Sequence, residues 1–218
     1  MNNGNGFAYP RITLAVGSLP MSVTAADING DGKVDLITAN QNTIGTLTVL
    51  TNNGSGGFGL NATLTVGRAP RSVIAADING DGYLDLISVN QIDNTLTVLT
   101  NNGIGIFGFH ATLTVGVEPT WVVAADINGD GKTDLISANG YYSTVSVLIN
   151  APTLAIGPSG DGMKVLWPSS WTNWTLQQNS DLATTNWSTI GGISNDGINK
   201  SLAIPPLSGN LFFRLAHP

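Results

Sequence analysis

The chain has 218 residues, 14 acidic and 8 basic side chains, a formal charge of −6, and only 10 % charged residues. It has no cysteine, which excludes disulfides and thiol chemistry, and it has no basic stripe of the kind nucleic acid requires. No apolar run approaches the roughly 20 residues a membrane helix needs, and the wealth of Gly, Asn, Thr, Ser and Val suits an all-β surface protein rather than a helical enzyme.

The opening Met1-Asn-Asn-Gly-Asn-Gly has neither the basic start nor the apolar core of a signal peptide. An exported protein of this kind would take its signal from outside this chain or use another route. Ile12–Gly17 then reads as a short strand, and Ser22–Ala26 as a second. Next comes an acidic loop, Asp27-Ile-Asn29-Gly-Asp31-Gly-Lys33-Val-Asp35. A strand over Leu36–Ala39, another over Thr46–Thr51, an Asn- and Gly-rich turn (Asn52–Gly59) and a strand over Thr63–Gly67 complete one unit.

The acidic loop returns as Asp77–Asp85 and Asp126–Asp134, at offsets of 77 − 27 = 50 and 126 − 77 = 49 residues. The second unit runs from Ser72 to Gly116 through Thr95–Thr100. The third supplies Trp121 to Asn150 and then leaves the pattern. Four short strands per repeat of this length fit a β-propeller blade, whose faces stack on its neighbours.

The loop chemistry points to calcium, which takes six to eight oxygen ligands in flexible geometry. Asp27, Asn29, Asp31 and Asp35 stand at alternate positions, with the Lys33 carbonyl between the last two. Asp77, Asn79, Asp81, Asp85 and the Tyr83 carbonyl form the second set. Asp126, Asn128, Asp130, Asp134 and the Lys132 carbonyl form the third. Gly30 and Gly32 let the backbone wrap by taking positive φ. An EF-hand would place an acid at position 12 and a helix on each side. Here that position is Thr38, Ser88 or Ser137, and the flanks favour strands, so each loop joins a hairpin. The alternative is a set of metal-free Asx turns. Three Ca²⁺ would balance the −6 charge, and without them nine crowded carboxylates repel, so metal and folding are coupled.

The pattern xVxAADINGDGxxDLIxxN…TLTVLxNNGxGxFG…TLTVGxxP, over residues 2–150, resembles the FG-GAP or VCBS repeat of integrin-like β-propellers. That resemblance implies that the loop links the first two strands of a blade and that its side chains ligate Ca²⁺. It also implies about seven blades, where three are present. The chain opens on a fourth strand, after the turn Asn2–Phe7, and its third blade lacks one. Three readings follow. The opening strand completes the third blade of a neighbouring copy, in a head-to-tail ring or filament. Alternatively the chain is part of a longer propeller, or Thr153–Gly157 completes blade three internally.

After about Asn150 the composition shifts. Residues 151–218 hold Trp167, Trp171, Trp174 and Trp187, with short apolar runs at Met163–Trp167, Trp174–Gln177, Ser201–Ile204 and Leu211–Leu215 separated by turns. That suggests a small β-sandwich, similar to modules attached to secreted bacterial proteins. The four Trp read as core or as a sugar-stacking platform. N-x-Ser/Thr sequons occur at Asn53, Asn61, Asn173, Asn186 and Asn199. No catalytic set emerges: His110 and His217 lie in different segments, Glu118 is the sole glutamate, and no Gly-rich loop has phosphate-site context. The expectation is a non-enzymatic, calcium-stabilised bacterial protein of the extracellular space or cell surface. Its work would be structural or adhesive, its partners copies of itself, glycans or cell-surface proteins, with no membrane insertion.

Overall fold

A computed structural model describes residues 11–151, 154–159, 162–169, 171–205 and 210–216. They contain strands and turns and no helix. The chain divides into two compact units, Met1–Ile149 and Asn150–Pro218.

The first unit repeats one antiparallel sheet. Blade one orders β1 (Pro20–Ala26), β2 (Asp35–Asn40), β3 (Thr46–Asn52) and β4 (Phe58–Thr65) side by side. Blade two repeats it with β5 (Pro70–Ala76), β6 (Asp85–Asn90), β7 (Thr95–Asn101) and β8 (Phe107–Thr114). Among the described residues blade three has three strands, β9 (Pro119–Ala125), β10 (Asp134–Asn139) and β11 (Thr144–Leu148), with β11 at the edge. Each acidic loop closes the hairpin between the first two strands of its blade, in the register Ala26 to Asp35, Ala76 to Asp85 and Ala125 to Asp134.

The cores lie between blades, because each sheet is apolar on both faces. Ile37, Ala39, Leu47 and Val49 of blade one pack with Val73, Leu86 and Leu99 of blade two. Ile87, Val89, Leu96 and Val98 turn the other way and pack with Val122 and Leu135 of blade three. Adjacent residues of β6 thus serve opposite interfaces, which is why that strand is buried along its whole length.

Three expectations are corrected. The fourth strands begin five residues earlier than Thr63, because the Asn-Gly turn is tight: the Asn53 amide donates to the Gly57 carbonyl, and Phe58 already pairs with Asn52. Ile12–Gly17 belongs to no strand, since among the described residues nothing offers it a ladder. Blade three is not completed internally, because β12 (Ala155–Ser159) pairs with β13 (Gly162–Pro168) of the second unit. The Asn2–Phe7 turn, Thr153 and His217 lie outside the described residues.

The second unit has two sheets. One orders β12, β13, β17 (Asn199–Ile204) and β16 (Ser194–Asn195). The other orders β15 (Ser188–Thr189), β14 (Thr175–Asn179) and β18 (Phe212–Ala216). Val165, Trp167 and Ile204 from the first sheet and Leu176 from the second share one core. Trp167 and Trp171 are buried, Trp171 meets Trp174 edge to face at 5.9 Å, and Trp187 lies under the Arg214 guanidinium at 4.3 Å. Most of this aromatic surface is therefore committed to packing within the unit.

Candidate metal centres

Each acidic loop is a coil of Asx-type turns whose carbonyl and carboxylate oxygens point at backbone N–H groups. Asp27 accepts from Gly30 (2.8 Å), Asp31 (3.2 Å) and Gly32 (2.8 Å). The Asn29 side chain accepts from the Asp31 amide, and Asp31 from the Lys33 amide. Asp77, Asn79 and Asp81 repeat this in loop two, and Asp126, Asn128 and Asp130 in loop three. Gly30 and Gly32 take φ of 74° and 79°, so the expected positive-φ pair is present.

The ninth position is different. Asp35 is fully buried and spans two turns, accepting from Ile28 (3.3 Å) and from Asn52 at the far end of β3 (2.8 Å). Asp85 does the same with Ile78 (3.1 Å) and Asn101 (2.8 Å), and the Ile127 amide donates to Asp134 (3.0 Å). Burial pushes the Asp85 carboxyl above its ordinary value of 3.8, against those two amide bonds, with Asp81 and Asp77 adding like-charge repulsion. In loop one the Lys33 ammonium sits 3.1 Å from Asp31 and, with the Lys33 amide, holds that carboxyl below 3.8.

The donor set fits a hard cation. It is all oxygen, with Asp and Asn at alternate positions, and each carboxylate has lone pairs beyond those the amides use. Among the described residues, however, no three acidic or histidine side chains converge around one point. The amide bonds hold the loop in shape while directing its oxygens largely at the backbone. The residues at position 12 face away from the loop: Thr38, Ser88 and Ser137 donate to Asn40, Asn90 and Asn139 at 3.0, 3.2 and 3.3 Å.

Those asparagines are the residues that loop chemistry overlooks. Each is buried, and each donates to two hydroxyls on the next strand: Asn40 to Thr46 and Thr48, Asn90 to Thr95 and Thr97, Asn139 to Thr144 and Ser146. Against them lies the glycine two residues beyond the preceding fourth strand, or its counterpart Gly17. A Cβ on Gly17, Gly67 or Gly116 would come within 2.6 Å or less of Asn40, Asn90 or Asn139. The signal was present in the fixed interval, since each asparagine stands 13 residues after the first Asp of its loop.

A family model for the FG-GAP-like repeat matches residues 27–88 and 77–137, two overlapping copies that each run from one acidic loop into the next blade. The chain belongs to the FG-GAP-like repeat family. No curated protein matches the chain. FG-GAP-like repeats are typical of extracellular β-propeller-type proteins and are generally structural or adhesive rather than catalytic. No helix among the described residues is long and apolar enough to cross a membrane. In this FG-GAP-like chain, His110 is the bulged residue of β8 opposite Val98 and Leu99 of β7, as Asn61 is in β4 opposite Val49 and Leu50 of β3.

Proposed function

We propose that this chain is a non-enzymatic, calcium-stabilised building block of an extracellular structural or adhesive assembly, in which copies join head to tail by completing each other's blades. The open edge of blade three carries the reading. Val145 and Val147 on β11 are 62 % and 53 % exposed, and Trp121, in the same cross-strand row on β9 with β10 between, is 55 % exposed. Their counterparts in blade two, Leu96 and Val98, are buried against blade three. An apolar face of this kind needs another blade to cover it, and the unpaired β11 backbone is a template for a fourth strand.

The opening segment supplies a matching strand. Ile12-Thr-Leu-Ala-Val-Gly17 repeats Ala62-Thr-Leu-Thr-Val-Gly67. The Gly17 amide donates to the Thr48 hydroxyl at 3.2 Å, as the Gly116 amide donates to Ser146 at 2.9 Å where blade two leads into blade three. Residues 11–17 therefore lie against blade one as a preceding fourth strand would. Laid on β11 of another copy, they would give blade three its fourth strand. The contact is heterologous, producing a ring if it closes and a filament if it does not.

Calcium would act on the same assembly by neutralising the loops, with the oxygen donors of Asp27, Asp77, Asp126 and their partners holding it. The test is light scattering and negative-stain microscopy of the purified protein in calcium and then in EGTA. Rings or filaments that dissociate in EGTA are expected. A calcium-loaded species of one chain mass at every concentration would overturn the reading.

A second reading, glycan binding, draws on a cleft of about 420 Å³ between blades one and two, lined by Thr65, Asp93, Thr95, Thr97, Phe109 and Thr112. Hydroxyls around one exposed aromatic ring suit a sugar. Glycan-array binding lost in Phe109→Ala would favour it.

A further inference from the structure

We infer that the seam between copies is locked by the acidic loop of blade three in one copy and the β3–β4 turn of the next, with the Asn52 side chain donating to the Ile127 carbonyl. This rests on the head-to-tail reading above and names the residues that decide its register.

The argument comes from the seam inside the chain. The Asn101 side-chain amide, at the end of β7, makes two donor bonds. One goes to the Leu84 carbonyl of its own blade (3.0 Å), and one crosses 73 residues to the Ile28 carbonyl in the acidic loop of blade one (2.7 Å). The turn beyond Asn101 lies on that loop: a Cβ on Gly105 would sit 3.4 Å from the Asn29 Cβ and 3.7 Å from Ile28, and one on Gly30 would sit 3.6 Å from the Gly103 carbonyl. Ile28 is 1 % exposed as a result and joins the core between the blades.

Both halves of this joint recur at the ends of the repeat unit. Asn52 is the counterpart of Asn101 and donates to Val34 of its own blade at 3.0 Å, leaving its second N–H available. A Cβ on Gly56, the counterpart of Gly105, would meet nothing within 4 Å. At the other end of the unit, Ile127 is the counterpart of Ile28 and is 48 % exposed. Ile78, which has blade three beside it, is half-buried in the second core. When the opening segment of one copy lies on β11 of another, blade one of the first follows blade three of the second. Asn52 then stands to Ile127 as Asn101 stands to Ile28. Bonding in this seam would bury Ile127 and satisfy the second Asn52 N–H at once.

The absence of native cysteine allows a direct test. In the internal joint the Gly105 and Asn29 Cβ positions are 3.4 Å apart, close to the roughly 3.8 Å of a disulfide. The double variant Gly56→Cys/Asn128→Cys should therefore oxidise to a ladder of covalent multimers that reductant collapses. Asn29→Cys/Gly105→Cys, carrying the same backbone strain and the same loop position, should close within one chain. In the unmodified background, Asn52→Asp should raise the concentration at which copies assemble about tenfold or more, the scale of one buried hydrogen bond. Multimers of the unmodified protein together with a closed internal control and no Gly56→Cys/Asn128→Cys ladder would overturn the joint while leaving assembly intact. An unmodified protein that stays at one chain mass would overturn both.

Discussion

The Asn101 side chain donates at 2.7 Å to the carbonyl of Ile28, tying the β7–β8 turn of blade two to the acidic loop of blade one. The loop is thus a joint between blades as well as a set of cation donors. Asp35 and Asp85 extend the same logic, since each buried carboxylate receives an amide from its own loop and another from the end of its blade's third strand. Loop shape, strand ends and blade stacking therefore share the same few hydrogen bonds.

Replacing Asn101 with alanine leaves the Ile28 and Leu84 carbonyls without their donor in a buried site. We expect Asn101→Ala to cost about 2–6 kcal/mol of stability, from roughly 1–3 kcal/mol for each of the two orphaned groups. Asn52→Ala removes a donor bond to Val34 and an acceptor bond from the Gly54 amide, both at exposed positions where water replaces them, and should cost under about 1 kcal/mol in the dissociated chain. Urea denaturation of both variants in calcium, at concentrations below assembly, checks the difference. Equal losses would contradict it.

Gly67→Ala places a Cβ 2.6 Å from the Asn90 side chain, which is fully buried and held by Thr95 and Thr97. The network has no room to move, so overpacking should cost about 3 kcal/mol. Gly108→Ala, within β8 with nothing within 4 Å, should stay within about 0.5 kcal/mol. Thermal melts of the pair separate a packing requirement from a general intolerance of alanine at glycine positions of the blade.

The stabilisation given by calcium should shrink with acid. Because the Asp85 carboxyl lies above its ordinary 3.8 in the folded protein, the metal-free fold binds that proton more tightly than the unfolded chain. Its contribution to metal-free stability therefore grows as pH falls through the raised value and is lost as pH rises again. Asp31, Asp93 and Asp196 lie below 3.8, so their contributions persist above that value and are lost only as pH falls further. Calcium needs ionised carboxylates and works the other way. The gap in Tm between calcium and EGTA should narrow from about pH 7.5 to about pH 5. A gap that is constant or widens would count against the loops as the calcium sites.

Tryptophan emission should report the second unit almost alone. Trp167, Trp171, Trp174 and Trp187 lie within Asn150–Pro218, and only Trp121 lies in the repeat unit. Far-ultraviolet circular dichroism should show two transitions, one shifted by EGTA, while the main emission change stays in place. A single transition that moves with calcium in both probes would show that the units do not unfold independently.

Much of the site was legible without coordinates because it is local. Nine residues of Asp, Asn and Gly carry their own turn-forming bonds, so Asp27, Asn29 and Asp31 fold onto amides no more than five positions away. The hairpin, the all-β class and the blade period followed from the spacing and the β-branched flanks. The buried role of Asp35 was not legible, since its second partner, Asn52, lies 17 residues on. The bulge at His110 was likewise hidden, because a bulge is defined by the strand opposite.

Ile12–Gly17 and Ala62–Gly67 mark the boundary between what the chain alone determines and what tertiary structure decides. The two read almost alike, yet residues through Thr65 belong to β4 while residues 11–16 belong to no strand. Of Thr153–Gly157, read as a stand-in for the same strand, Ala155 to Gly157 belong to β12 and pair instead with β13. Sequence by itself determined the turns, the periodicity and the chemistry of the loops, whose bonds close over a few residues. Tertiary structure decided which edges are paired, which asparagines are buried and which isoleucine is covered. Those outcomes depend on distant strands meeting, and a strand segment carries its pattern but not its partner.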